Sequence, residues 1–188
     1  KAGIDVGRFG TQDQKKINVL YEINRAAKDF FKQQLTQNQS KAVLDYLIKR
    51  GLKPETIEEF ELGFTPCEAG RGFDNLLRFL NKKNFRVEDV EKAGLIFRTA
   101  RGTYWDRFRE RIMFPLYNQF GKVIGFTGRV FSEDGERLVK EGKTGKYVNS
   151  PESPIFQKSK FLYGFHKSKE AIREQRLAVL MEGQMDFL

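Results

Sequence analysis

Hydrophobic side chains recur every three or four residues in the first part of the chain, which is the spacing of one face of an amphipathic helix. Such a face runs through residues 16–35 and predicts a first helix. A second helix is predicted after Ser40, a residue type suited to an N-cap, and its end is predicted at Gly51. Pro54 suits the first turn of a third helix. Further helices are predicted at 73–80, 87–93 and 167–175.

Two runs in the middle of the chain, 112–117 and 122–129, have the composition of β-strands, and a polar stretch of hairpin length separates them. Strand alternation places four residues on one face of the second run: Val123, Gly125, Thr127 and Arg129. That face is small enough to admit the backbone of a ligand and basic enough to hold it. The alternative is a half-buried surface hairpin with its arginines in water. A short strand is also predicted at 62–65.

Three other stretches have a different character. Residues 1–14 are polar and rich in glycine, which predicts a connector. Residues 132–145 are charged and contain glycine, which predicts a mobile loop. Residues 177–181 are apolar and predict a strand that runs into a turn at Glu182 and Gly183.

The charge balance of the 188 residues is basic, with 34 Lys and Arg against 25 Asp and Glu and a net charge of +9. This surplus favours a polyanionic partner, with nucleic acid or nucleotides ahead of a membrane surface. No apolar run reaches membrane-spanning length, and the N-terminus lacks the apolar core of a signal peptide. The single cysteine fits a reducing, cytosolic setting, and one Cys with one His argues against a structural zinc site within the chain.

Candidate phosphate-binding side chains lie on either side of the predicted mobile loop: Arg129, Lys146, Tyr147, Asn149 and Ser150. Cations beside an aromatic ring and short hydrogen-bonding side chains suit a phosphate chain that carries a sugar or a base. The alternative is a solvated basic loop. Arg50 is a further candidate, although a cation at a helix C-terminus can also serve the helix dipole.

Two carboxylates, Glu182 and Asp186, directly follow the predicted strand at 177–181. Carboxylates at the C-terminal end of a strand can reach a divalent metal that is also bound by substrate phosphates. Two carboxylates alone are few protein ligands for an Mg²⁺ site. The alternative is that Glu182 caps the turn.

Several longer motifs, taken together, resemble the RNA-polymerase core of bacterial DnaG-type DNA primases. They are RFRERIMFPLYNQFGKVIGFTGRV, KYVNSPESPIFQKSKFLYG and VLMEGQMDFL, preceded by YLIKRGL and FELGFTP. The resemblance covers nearly everything from about Lys16 onward, in the order of the family. It implies an α+β fold class, with a mixed α/β N-terminal subdomain at 16–174 and the start of a Toprim α/β subdomain at 175–188. Residues 1–15 are then a linker from a zinc-binding domain.

The resemblance also implies an activity and a set of site residues. The activity is synthesis of short RNA primers on a single-stranded DNA template from ribonucleoside triphosphates during replication, with Mg²⁺ or Mn²⁺. Glu182 and Asp186 fall on the family's catalytic and metal-binding acids. The template- and nucleotide-binding positions fall on Arg50, Arg129, Lys146, Tyr147, Asn149 and Ser150, together with Arg107, Arg109 and Arg111 of RFRER, which are expected to line the same groove.

Other parts of the family are expected to lie outside this chain: the zinc-binding domain with its zinc, the later Toprim acids and the helicase-binding domain. Expected partners are the template, the RNA primer and, through those other parts, the replicative helicase and single-strand-binding protein in the bacterial cytoplasm. Gln184 stands where the motif often has an aromatic residue. The alternative to an enzyme is a non-catalytic module that binds single-stranded nucleic acid or nucleotides. A Toprim topoisomerase or nuclease is a more distant alternative.

Overall fold

The computed structural model describes residues 11–66 and 73–188. Cys67 and most of the predicted connector lie outside these residues. The α-helices are Thr11–Leu35 (α1), Lys41–Lys49 (α2), Pro54–Glu59 (α3), Asn75–Lys82 (α4), Val87–Lys92 (α5), Glu133–Lys140 (α6), Phe165–Gln175 (α7) and Gln184–Phe187 (α8). The strands are Gly63–Thr65 (β1), Ile96–Arg98 (β2), Tyr104–Asp106 (β3), Arg111–Tyr117 (β4), Val123–Val130 (β5) and Tyr147–Asn149 (β6).

The predicted central hairpin is confirmed, and it forms the middle of a four-stranded antiparallel sheet with the order β1-β4-β5-β6. Asn118 shapes its turn, because its side-chain oxygen accepts hydrogen bonds from the backbone N–H groups of Phe120 and Lys122, each at 3.0 Å. Gly121 follows with a φ of +75°, which favours glycine. Strands β2 and β3 pair in a separate antiparallel hairpin.

Both faces of the central hairpin are covered, since all eight residues of β5 are buried. The alternative of a surface hairpin with its arginines in water is therefore wrong. Helix α1 packs closely on the sheet, with the Phe31 and Phe126 rings in an edge-on contact at 5.1 Å between centroids. A Cβ atom at Gly63 of β1 would lie 2.5 Å from the Cβ of Phe31, so the absence of a side chain there permits the approach.

The core contains two large hydrophobic clusters and a small third one formed by Leu116, Ile124 and Phe156. The first joins α1, α4 and α5 to β5, and the second joins the end of α1, α2 and α3 to β1 and β4. Burial of each large aliphatic or aromatic side chain contributes about 1.5–3 kcal/mol, so these clusters supply the main favourable term for the fold.

The stretch predicted as a mobile loop, 132–145, instead contains helix α6. Ser132 caps this helix, because its hydroxyl oxygen accepts a hydrogen bond from the Gly135 backbone N–H at 3.0 Å. Acidic residues in the first turn and basic residues in the last turn complement the helix dipole. Gly135 serves packing rather than mobility, since a Cβ there would lie 2.2 Å from a methyl group of Val130.

The predicted strand at 177–181 is also wrong, because these residues belong to no strand of the described sheets. A strand requires a neighbour for its backbone groups, and this segment has none in the described parts of the chain. Four of its side chains are exposed: Leu177, Val179, Leu180 and Met181.

Two helices extend across the ends of the predicted subdomains. Helix α1 begins at Thr11, so residues 11–15, expected in a linker, are helical. Helix α7 continues to Gln175 and ends at Arg176, whose φ is +51°. The division of the chain near residue 175 stays a prediction. Within the described ranges, no helix combines the length and the apolar character needed to span a bilayer.

Candidate functional site

A cleft of about 450 Å³ opens beside the β5–β6 edge of the sheet. It is lined by Arg50, Thr127, Arg129, Lys146, Tyr147, Asn149, Glu182, Gly183, Gln184, Met185 and Asp186. Basic and acidic side chains that are far apart in the sequence thus face one cavity. Seven of the predicted site residues are among them.

Arg129 forms the floor of the basic side of the cleft, and it is 8% exposed. Its guanidinium carbon lies 5.1 Å from the centre of the Tyr46 ring, a cation–π contact that orients the side chain. Burial raises the pKa of the Tyr147 hydroxyl, and the positive charge of Arg129 opposes that rise. The buried cation is therefore held in place before any ligand arrives.

Arg50 and Lys146 complete the basic side and are both exposed. The backbone N–H of Arg50 donates to the carbonyls of Tyr46 and Leu47 as the C-cap of α2. Arg50 therefore satisfies both interpretations of its sequence position: it ends a helix, and its side chain lines the cleft.

Asn149 is fixed on the wall of the cleft by its neighbour across the sheet. Thr127 lies opposite Asn149 in the β5–β6 register, and its hydroxyl donates to the Asn149 side-chain oxygen. This bond gives the amide a defined orientation. Thr127 was not among the predicted site residues, although its strand position on the Arg129 face was a usable signal.

Glu182 and Asp186 supply the acidic side, on either side of the turn that starts α8. A Cβ at Gly183 would lie 2.7 Å from the Asp186 carboxylate oxygen, so glycine allows the carboxylate to fold back over the turn. The Phe187 ring anchors α8 by edge-on contacts with the Phe60 and Tyr163 rings, at 5.8 and 5.5 Å between centroids. The carboxylates are thereby tied to the core.

The donor set of this cleft fits a divalent cation shared with a substrate. Mg²⁺ is typically bound through one or two carboxylates together with phosphate oxygens and water. Glu182 and Asp186 provide two carboxylates, and the opposite side provides cations for the phosphates. Residues 11–66 and 73–188 contain no group of three or more His, Cys, Asp or Glu side chains placed to hold a metal.

Two predicted residues, Arg111 and Ser150, do not line the cleft, because their side chains are occupied in the core. The Arg111 guanidinium donates to the carbonyls of Gly128 at 3.0 Å, Gly145 at 3.2 Å and Lys146 at 3.3 Å. The Ser150 hydroxyl oxygen accepts the Phe126 backbone N–H at 2.9 Å. Burial lowers the pKa of Arg111. Arg111 therefore positions the backbone that precedes Tyr147.

Arg107 and Arg109 also lie away from the cleft, contrary to the prediction of a shared groove. Strand alternation would place Arg107, Arg109 and Arg111 on one face, but residues 107–110 belong to no strand. Glu110 has a φ of +52°, which redirects the chain before β4 begins. The three arginines consequently diverge.

Arg109 belongs instead to a second feature, which we call the aromatic–arginine surface: Phe73, Phe97, Trp105, Arg107 and Arg109. The guanidinium carbon of Arg109 lies 5.1 Å from the Phe73 ring centre, 5.3 Å from Trp105 and 5.9 Å from Phe97. Arg107 lies 5.9 Å from the Phe97 ring and donates from Nε to the Gly94 carbonyl at 2.9 Å. Phe73 and Trp105 are 42% and 36% exposed, so rings and cations are presented together.

Asp106 lies beneath this surface and is buried. Its two carboxylate oxygens accept the backbone N–H groups of Leu76 at 2.8 Å and Leu77 at 3.1 Å. Burial raises the pKa of Asp106 to about 7, against the opposing effect of those two hydrogen bonds. Nothing in the sequence pattern distinguished Asp106 or Phe73 as site residues.

Comparison with known proteins finds similarity to DNA primases. The family described as "DNA primase catalytic core, N-terminal domain" matches residues 30–169. A DNA primase of Salmonella typhimurium is 38% identical over 169 residues, which are 90% of this chain and 27% of that protein. The chain therefore spans less than a third of the length of the curated relatives that it matches.

Solved structures resemble the fold as well. The RNA polymerase domain of the Mycobacterium tuberculosis primase DnaG is 31% identical with a TM-score of 0.78, covering 89% of this chain and 50% of that one. A DnaG primase catalytic domain bound to single-stranded DNA is 35% identical with a TM-score of 0.69, covering 84% of this chain and 45% of that one. The protein belongs to the family of the DNA primase catalytic core, N-terminal domain.

Proposed function

We propose that this chain is the part of a DNA primase that holds the single-stranded template and the ribonucleoside triphosphates during primer synthesis. One observation carries the proposal: a single cleft brings Arg50, Arg129 and Lys146 to face Glu182 and Asp186. Cations opposite carboxylates suit a polyphosphate whose remaining charge is shared with a divalent metal.

Each side of the cleft has its own role in this proposal. Arg129 and Lys146 bind phosphate oxygens, with Arg129 oriented by Tyr46 so that little side-chain entropy is lost on binding. Tyr147 and Asn149 contact the sugar or the base. Arg50 extends the basic side toward the incoming strand.

Glu182 and Asp186 would hold a divalent ion, Mg²⁺ or Mn²⁺. When bound, such an ion stabilises the negative charge that develops on the transferred phosphoryl group. As an alternative to holding the metal, the Glu182 carboxylate can accept the proton that the attacking 3′ hydroxyl loses. Asp186 serves as a second ligand or supports the turn.

The aromatic–arginine surface is the proposed path of the template. Exposed rings stack on bases without strong sequence preference, and the arginines bind the phosphates between them. A related catalytic domain was solved with single-stranded DNA, which supports binding of a single strand by this chain. The replicative helicase and single-strand-binding protein stay predicted partners of the longer protein.

The second candidate function is a binding module that holds nucleic acid or nucleotides without turnover. It is favoured for the 188-residue chain on its own, because the two carboxylates of the described cleft are few ligands for a catalytic metal ion. Primer synthesis that depends on Glu182 supports the enzyme, whereas binding that is indifferent to Glu182, without synthesis, supports the module.

Salt dependence tests the proposed binding of single-stranded DNA. If roughly three to five phosphates are neutralised, the logarithm of affinity should fall with the logarithm of salt concentration at a slope of about −2 to −4. Fluorescence anisotropy of a labelled oligothymidylate at several salt concentrations measures this slope. Affinity that stays constant between low and moderate salt would contradict the basic cleft and surface as binding sites.

A further inference from the structure

Asp106 connects three residues of the aromatic–arginine surface, Phe73, Trp105 and Arg109, to helix α4. Its carboxylate accepts the N–H groups of Leu76 and Leu77 at the start of the helix. Its own backbone N–H donates to the Phe73 carbonyl at 2.6 Å. Its carbonyl oxygen accepts a hydrogen bond from Arg109 Nη1 at 3.2 Å. Trp105 is its neighbour in β3.

Capping α4 does not by itself require a buried carboxylate from elsewhere in the chain. Asp74 already occupies the N-cap position, and its side chain makes no cap hydrogen bond. Asp74 instead pairs with Arg78 at 2.6 Å on the surface. The helix N–H groups are satisfied by Asp106, about thirty residues further along, at the cost of burying a charged group. The arrangement joins α4 to the β2–β3 hairpin.

The charged groups that face Asp106 come from both sides of this junction: Asp74 and Arg78 from α4, and Arg109 from the segment after β3. Arg109 is the cation held over the three rings. The carboxylate itself bonds only to Leu76 and Leu77 and attracts Arg109 through its charge. It therefore acts on the surface by fixing the Asp106 backbone against the start of α4, and that backbone in turn bonds to Phe73 and Arg109.

We propose that Asp106 is a positioning residue for template binding, which holds Phe73, Trp105 and Arg109 in one arrangement before the strand arrives. This inference rests on the proposed role of the aromatic–arginine surface in template binding. Rigid rings and a fixed guanidinium lose less conformational entropy on binding than mobile ones, so a preorganised surface binds more tightly.

The test compares Asp106→Asn with Asp74→Asn, the same chemical change at the same end of α4. Trp105 is the single tryptophan of the chain, so its emission and its quenching by acrylamide report directly on the surface. At pH 8, Asp106→Asn should weaken oligothymidylate binding about 5- to 20-fold, the loss of roughly one stacking contact. It should also make Trp105 more accessible to quencher, whereas Asp74→Asn should change neither quantity.

Asp106→Ser is measured alongside. Its hydroxyl, like the asparagine oxygen, can accept one of the two helix N–H groups, but it does not place an NH₂ donor against the other one, so it should give a smaller loss of affinity. This variant also decides the question if Asp106→Asn unfolds. Wild-type affinity in the Asp106 variants, with affinity reduced by Arg109→Ala, would overturn the inference and leave the template surface intact.

A double-mutant cycle separates positioning from general loss of stability. If Asp106 acts partly through Arg109, Asp106→Asn should cost less affinity in the Arg109→Ala background than in the wild type, with the remaining loss due to the rings. Full additivity of the two losses would overturn the positioning role. Unchanged affinity in Arg109→Ala itself would contradict the proposed template surface, and with it this role for Asp106.

Discussion

At the residue scale, protonation of the buried Asp106 carboxylate makes a contribution to folding stability that can be measured separately from that of the other carboxylates. Burial raises its pKa to about 7 in the folded protein, whereas an exposed Asp has a pKa near 3.8. Between these two values the folded state retains a proton that the unfolded state has released. Folding stability from this group is therefore complete below about pH 4 and is lost as the pH rises through 7.

The unfolding free energy of the wild type should accordingly fall between pH 4 and pH 7, relative to that of Asp106→Asn, by on the order of 2–4 kcal/mol. Asparagine does not titrate, so the comparison removes the contribution of all other carboxylates. Urea unfolding of both proteins across this pH range measures the difference. A difference independent of pH would show that Asp106 ionises in the folded protein much as it does in the unfolded chain.

Glu182 carries the second residue-scale prediction. In a polypeptide of full family length that contains this sequence, Glu182→Gln should abolish primer synthesis while template binding survives, because glutamine keeps the shape but loses the charge and basicity. Asp186→Asn should be damaging but less complete. Primer yield measured against metal concentration provides the readout, and Glu174→Gln, an exposed glutamate on α7, provides the control. Lower stability with substantial synthesis per folded molecule would indicate that Glu182 caps the turn.

Among the site residues, local motifs and the family resemblance together identified the charged side chains that line the cleft. Arg50, Arg129, Lys146, Glu182 and Asp186 were all predicted, and the structure brings them into one cleft. The arginines of RFRER were assigned to the groove by the family resemblance alone. The structure separates them, because residues 107–110 belong to no strand and Glu110 has a φ of +52°. Backbone conformation of that kind is not encoded in periodicity.

At the scale of elements, helix α6 shows how local signals can be misread. Glycine and a high density of charge predicted a mobile loop at 132–145. Yet Ser132 followed by acidic residues is a helix start, and Gly135 is required by the close approach of Val130. The packing partner lies in the preceding strand, so only the folded arrangement shows why this glycine is tolerated in a helix.

Ser132→Ala should destabilise α6 by about 1 kcal/mol, because the cap hydrogen bond to Gly135 is lost. Amide hydrogen exchange across Glu133–Lys140 should then be several-fold faster than in the wild type. Ser159→Ala, at an exposed position elsewhere, should leave that exchange unchanged. Rapid exchange of these amides already in the wild type would restore the prediction of a mobile loop.

The strand predicted at 177–181 shows that composition alone does not determine whether a segment forms a strand. Its composition is that of a buried strand, but its large apolar side chains are exposed in the described structure and no neighbouring strand pairs with it. Composition reports the tendency of a segment, whereas pairing depends on the presence of a partner strand. The hairpin of β4 and β5 was predicted correctly because both partners and the turn are contiguous in sequence.

At the scale of the whole molecule, the basic surplus is used in two separate places. The cleft gathers Arg50, Arg129 and Lys146 opposite the two carboxylates, while the aromatic–arginine surface carries Arg107 and Arg109. The α+β core holds both features through β4 and β5. In this account the cleft binds the triphosphate and the surface guides the template.

The most direct test of that account is the binding of a ribonucleoside triphosphate with Mg²⁺ to three variants by titration calorimetry. Arg129→Ala and Lys146→Ala should each weaken binding by roughly ten- to a hundredfold, since a charge-assisted hydrogen bond contributes about 1.5–3 kcal/mol. Lys140→Ala removes the same charge from an exposed position on α6 outside the cleft, and it should bind like the wild type. Arg129 is buried against Tyr46, so its variant is also expected to melt at a lower temperature, whereas the exposed Lys146 variant is not. Equal affinity in all three variants and the wild type, or an equal loss in Lys140→Ala, would contradict a phosphate-binding cleft.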